Sequence, residues 1–134
     1  MRPSDDVRAG ILHFYERFSS ADPAAFAAGL SSEDGVSVIG SAPDEGHGDR
    51  AGWVAAYRDG IAAAGIKLEG DDPRAYEEGS LGWGVDRARF VLPDGSTLPT
   101  RLTAVLRHED DEWKVVHLHF SVGVPDEEAI QPRS

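Results

Sequence analysis

At 134 residues the chain has the size of one domain, able to bury one hydrophobic core with room for a single modest cavity. Its 24 acidic and 13 basic side chains leave a formal charge of −11, a surface that repels phosphate backbones and anionic lipid, so neither nucleic acid nor a membrane is an expected partner. The absence of cysteine excludes disulfides, thiolate nucleophiles and thiolate metal sites, and the lack of a signal-like or membrane-length apolar run predicts a soluble cytoplasmic protein.

Ser4 is placed to cap a first helix, with Asp5 and Asp6 near its positive end. Val7, Ile11, Phe14 and Phe18 follow at helical spacing and form its buried stripe. Asp22-Pro23 signals a second, short helix that buries Phe26 and Leu30. Val36, Val38 and Ile39 make a short strand, and the turn-rich run from Gly40 to Gly48 reads as a loop. Asp49 caps a third helix in which Trp53, Tyr57 and Ile61 share a face, and Gly65 ends it.

After Gly65 the hydrophobic period becomes that of strands. Ile66 to Glu69 and Arg74 to Glu78 read as two pieces of one strand, interrupted by a bulge at Asp71-Asp72-Pro73. Leu81 to Leu92 reads as one long strand ending at a two-residue Asp94-Gly95 turn, which pairs Val85 with Ala104 and Asp86 with Thr103. That register turns Trp83, Val85 and Arg87 toward the core and Asp86, Ala88 and Phe90 away from it. A last hairpin follows, with a three-residue loop Glu109 to Asp111. It sends Leu102, Ala104, Leu106, Val116, Leu118 and Phe120 inward, and Trp113, Val115, His117, His119 and Ser121 outward. Pro125 to Ser134 reads as a frayed polar tail, with the core spanning residues 7–124.

The element order predicts an α+β fold: a single domain in which three N-terminal helices cover the concave face of a cone-shaped, curled antiparallel sheet. Val38-Ile39-Gly40 with Pro43 and Glu45, then Arg101-Leu102-Thr103, then Trp113 through His117-Leu118-His119-Phe120-Ser121, resemble the SnoaL-like branch of the nuclear transport factor two-like superfamily, of cystatin-like fold. The resemblance covers residues 7–124, and the ending is also similar to the association domain of calcium/calmodulin-dependent kinases. It implies a small-molecule-binding protein with a partly apolar cavity, in a superfamily that holds cyclases, dehydratases, ketosteroid isomerases and modules that only bind or assemble. Two readings follow: a cofactor-independent cyclase, dehydratase or isomerase, or a non-catalytic dimeric ligand-binding or assembly module. Fold does not choose between them.

Tyr15, Trp53, Tyr57, Trp83, Phe120, Glu45 and Arg87 are the expected pocket-lining residues. Arg87, by its register, is an inward cation that needs either Glu45 or a ligand oxygen as its partner. Asp86, Arg101, Thr103, His117, His119 and Ser121 form a polar row on the opposite face, read as the interface of a homodimer. His117 and His119 have metal-ligand spacing with Asp86 as a third candidate, but Arg101 beside them disfavours a cation, so no metal and no cofactor are expected. His13 and His47 are expected at the surface. Compared with a ketosteroid isomerase, Ile39 or Gly40 falls at the aspartate base and Phe14 at the tyrosine donor, with Tyr15 adjacent. Asp44 or Glu45 is the available displaced base, and no catalytic residue is assigned.

Overall fold

The computed structural model of the chain describes residues 1–40 and 45–130. Ser4 is extended, and its side chain accepts the Val7 N–H at 3.0 Å, starting helix α1 (Asp5–Ser19). Val7, Ile11, Phe14 and Phe18 are buried along the predicted stripe. Asp22 caps α2 (Pro23–Ala28) through the Ala24 N–H, and Phe26 is its buried side chain. Two helices, rather than the expected three, stand near the N-terminal end, following the short strand Arg2–Pro3. The third helical segment comes later and is interrupted: α3 (Arg50–Ala56), capped by Asp49, widens into a π-helical turn over Tyr57–Ala62.

Seven strands form a curled, unclosed sheet. In chain order they are β1 (Arg2–Pro3), β2 (Ser37–Ile39), β3 (Gly46–His47), β5 (Arg74–Glu78), β6 (Leu81–Asp86), β9 (Arg101–Glu109) and β10 (Glu112–Ser121), and in space they run β1-β5-β6-β9-β10-β2-β3. All pairs are antiparallel except β10 with β2. A smaller sheet holds β4 (Lys67–Glu69), β7 (Arg89–Val91) and β8 (Thr97–Pro99). The two sheets share one long bent hairpin. Its first arm breaks at Arg87–Ala88 and its second at Thr100, where the Thr100 N–H bonds the Ala88 carbonyl at 2.9 Å. The pieces 67–69 and 74–78 therefore do not form one bulged strand but belong to different sheets.

The strand register differs from the expected one by a single residue, and the turn is the cause. The loop holds three residues, Pro93, Asp94 and Gly95, closed by Leu92 N–H to the Ser96 carbonyl at 2.9 Å, with Gly95 in the left-handed region at φ +85°. Val85 accordingly faces Thr103 and Asp86 faces Leu102. Every side chain of that arm changes face. Asp86, Ala88 and Phe90 are buried, while Val85 and Arg87 are exposed. Gly82 and Gly84 occupy the inner positions because α1 lies directly on them: a Cβ on Gly82 would stand 2.6 Å from Val7, and one on Gly84 would collide with Ile11.

The last hairpin is also tighter than expected. Asp110 and Asp111 form a two-residue turn with φ of 53° and 59°, pairing Glu109 with Glu112. A bulge between Val115 and His117 then shifts the register, so Val115, Leu118 and Phe120 are all buried and Val116 is only half-buried. Val115 is fixed there by bonds to the Gly29 carbonyl at 2.9 Å and the Ser31 N–H at 2.8 Å. Trp113 also turns inward, packing against the Gly10 position of α1. One exposed helical turn, α4 (Asp126–Ala129), falls in the segment expected to fray. No helix among the described residues is long and apolar enough to cross a membrane.

Candidate functional site

The inner face of the sheet, α1, α2 and the α3–π segment enclose the aromatic core. Phe26 stacks on Tyr57 with ring centroids 4.0 Å apart, and Phe18, Phe90 and Phe120 pack beside them. At the edge of this core lies a small cavity of about 70 Å³. Its floor is Phe18, Val38, Phe90 and Phe120, and its wall is Trp53, Ala56, Tyr57 and Ile61 from the α3–π segment. Gly40, Glu45 and His47 complete the lining.

The short β2–β3 pairing explains how two titratable side chains reach an apolar cavity. Val38 pairs with His47 and Ile39 with Gly46, and the Gly40 N–H bonds the Glu45 carbonyl at 2.8 Å. Glu45 and His47 are two residues apart, so both can address the same side of their strand. The Glu45 side chain lies over Gly40, where any Cβ would collide with it. A carboxylate and an imidazole thus share a lining that is otherwise apolar and aromatic. The Tyr57 hydroxyl is already engaged, donating to the Phe18 carbonyl at 2.6 Å, and burial pushes its pKa up.

The structure brings together Glu45, Trp53, Tyr57 and Phe120 of the expected pocket residues, and places the other three elsewhere. Tyr15 is buried away from the cavity. Its hydroxyl donates to Asp86 at 2.8 Å, and burial first, then the charge and hydrogen bond of Asp86, push the phenol up. Asp86 is the correction that matters most on the polar row. It points inward, 7 % exposed, and also accepts the backbone N–H groups of Asp71 at 3.2 Å and Asp72 at 3.0 Å. It therefore pins the Gly70–Pro73 connection to α1, and Gly70 leaves space for the Tyr15 ring. Trp83 lies on the outer face, stacked on Tyr76 at 5.0 Å, and Arg87 is exposed. Both were expected inward because a two-residue Asp94-Gly95 turn would set the register one residue away from the observed one. The close approach of α1 demands glycine on the inner side instead.

Arg101, Thr103, His117, His119 and Ser121 do share the outer face. His117 Nδ1 lies 2.8 Å from the Ser37 hydroxyl, and Arg101 Nε donates to Ser121 at 3.1 Å. With Asp86 on the other face, the proposed histidine–aspartate set is not assembled, and among the described residues no three His, Cys, Asp or Glu side chains are grouped to hold a metal. His13 is exposed on α1 as expected. His47 was expected at the surface and lines the cavity instead, because its two-residue strand forms only by pairing with β2. Asp44 and Pro43 lie outside the described residues.

An open curled sheet around an apolar cavity, closed by helices from one side, defines the nuclear transport factor 2-like, cystatin-like class of fold. The sequence matches the SnoaL-like domain over residues 7–125, and the chain belongs to that family. No curated protein matches it. Among solved structures, a nuclear transport factor 2-like superfamily protein from Salmonella enterica superposes with a TM-score of 0.76 at 19% identity, covering 94% of each chain. A candidate dehydratase of the NTF2-like family from Streptomyces avermitilis gives 0.75 at 18% identity, covering 90% of this chain and 95% of that one. A candidate calcium/calmodulin-dependent kinase II association domain from Xanthomonas campestris gives 0.72 at 14%, covering 89% and 86%. At these identities the likeness is one of fold.

Proposed function

We propose that this SnoaL-like domain binds the oxygenated end of a small apolar molecule in its cavity, and that Glu45 and His47 supply acid–base chemistry of the cyclase, dehydratase or isomerase type without a cofactor. The observation that carries this reading is the joint presence of Glu45 and His47 on a wall otherwise built from Phe18, Trp53, Tyr57, Phe90 and Phe120. Enolisation and dehydration both need a base to take a proton beside a carbonyl and an acid to protonate the departing or developing oxygen. A carboxylate and an imidazole fill those two roles, and the aromatic wall excludes water from the reacting carbon. The pair replaces the aspartate and tyrosine of a ketosteroid isomerase, whose positions hold Ile39 or Gly40 and Phe14. The dehydratase-like description of the Streptomyces neighbour agrees with this chemistry.

The cavity of about 70 Å³ is far below the roughly 300 Å³ of a full ligand pocket. The ligand therefore inserts one end, with Glu45 and His47 at the point of entry. Crystals soaked with small cyclic ketones test this directly. Density is expected between Trp53, Tyr57 and Phe120 with the ketone oxygen toward His47; ketones found only at other sites would remove the basis for the proposal.

One observation favours a second reading, a dimeric binding or assembly module. The outer face presents the Tyr76–Trp83 stack with Leu81 at 53 % exposure, Val85 at 37 % and Ile39 at 47 %. An apolar patch of this kind on a sheet suits a second copy of the chain.

A further inference from the structure

We infer a second binding site, for a small oxyanion with two or more negative charges, in a groove of about 450 Å³ on the outer face where Arg74, Arg87, Arg101 and Thr103 come together. The register builds this corner. Arg74 pairs with Val85 and Val85 with Thr103, while Arg87 and Arg101 lie two residues further along the same strands and so share the face. The groove sits at the Arg87–Ala88 break and shares no residue with the cavity that Phe90 and Phe120 line.

The charge pattern singles these arginines out. In a chain of net charge −11, guanidiniums have many carboxylates to meet. Arg2, Arg8, Arg17, Arg58, Arg89 and Arg107 each reach one. Among the described arginines, Arg50, Arg74, Arg87 and Arg101 have no carboxylate partner; Arg50, outside the groove, donates to the Ala27 carbonyl at 2.7 Å, and the other three line the groove. The acids nearby are largely spoken for: Asp72 is held by Arg8 at 3.0 Å, and Asp86 takes its hydrogen bonds from Tyr15 and two backbone N–H groups. Asp71, Asp72 and Asp86 line the groove as well, but none of them is paired with Arg74, Arg87 or Arg101. Arg101 is also oriented, through its Nε bond to Ser121. Planar guanidinium forks bind carboxylate and phosphate oxygens in pairs, and Thr103 adds a hydroxyl donor. The groove volume falls in the range of small-molecule sites, about 300–1,000 Å³. A phosphate monoester and a dicarboxylate share the required chemistry.

Inorganic phosphate and succinate, titrated separately at low ionic strength, distinguish the two sources while the arginine Nε–H resonances are followed by NMR. The expected result is saturable shifts at Arg74, Arg87 and Arg101 with at least one probe. Arg87→Gln and Arg101→Gln should each weaken binding roughly tenfold, and Arg58→Gln should not. Both substitutions lie on exposed side chains, so folding is preserved. Response to phosphate alone assigns a phosphate monoester, and response to succinate alone a dicarboxylate. No saturable response to either probe, equal weakening by Arg58→Gln, or a dimer that covers the three arginines would each overturn the inference.

Discussion

Glu109 sits at the end of β9 and ties the last hairpin to the segment after α2. It accepts the Ser31 hydroxyl at 2.7 Å, the Ser32 N–H at 2.8 Å and the Ser32 hydroxyl at 3.1 Å, with Arg107 at 3.2 Å. Burial alone would raise its pKa, but the bonds from Ser31, Ser32 and Arg107 together outweigh burial and hold the carboxyl below its ordinary value of 4.5. A carboxyl with a lowered folded pKa adds stability above the unfolded value and loses it as pH falls through the folded one. Glu109→Gln should therefore cost about 1–2 kcal/mol at neutral pH, the worth of a few charge-assisted bonds near the surface. The deficit should shrink as urea denaturation is repeated below pH 4.5. A deficit that stays constant down to low pH would mean that the bonds do not depend on the charge.

At the scale of elements, the Asp110–Asp111 turn is the clearest point of local conflict. Both residues hold positive φ, a backbone that Asn and Gly adopt far more readily. Asp110→Asn with Asp111→Gly should raise stability by about 0.5–1 kcal/mol, read as a higher thermal midpoint. An unchanged or lower midpoint would mean that Lys114, paired with Asp110 at 3.8 Å, contributes more than the backbone.

The same turn shows what a sequence reveals and conceals. Helix caps at Ser4, Asp22 and Asp49 are local chemistry, and each was readable. So was the outward row of Arg101, Thr103, His117, His119 and Ser121, because alternation needs no partner strand. Turn length was not readable. One residue more at Pro93–Gly95 and one fewer at Asp110–Asp111 moved the pairing of both hairpins, and parity carried Trp83, Arg87 and Asp86 to the wrong faces. The inner glycines of β6 carried no warning of it, since Gly82 and Gly84 face inward only because α1 lies directly against them. For the candidate site, Trp53, Tyr57 and Phe120 were legible from helical and strand spacing. His47 was not, because its two-residue strand exists only through pairing with β2.

For the whole molecule, the outer sheet face and the inner cavity are separate surfaces that can be tested one at a time. If the outer patch joins two copies, light scattering at micromolar concentration should give about twice the 14.4 kDa chain mass, and Val85→Asp should return the mass to that of one chain. A strictly monomeric protein would leave the Tyr76–Trp83 stack and the histidine row as plain solvent-facing surface. The proposed acid–base role of Glu45 and His47 is tested most directly by exchange of α-protons from a small cyclic ketone in deuterated water, followed by NMR. The intact protein should catalyse exchange, and Glu45→Gln should abolish it in a chain that still folds. Gly40→Ala, which displaces the Glu45 side chain, should slow it strongly. Exchange no faster than in protein-free buffer, or equally fast in Glu45→Gln, would contradict the account.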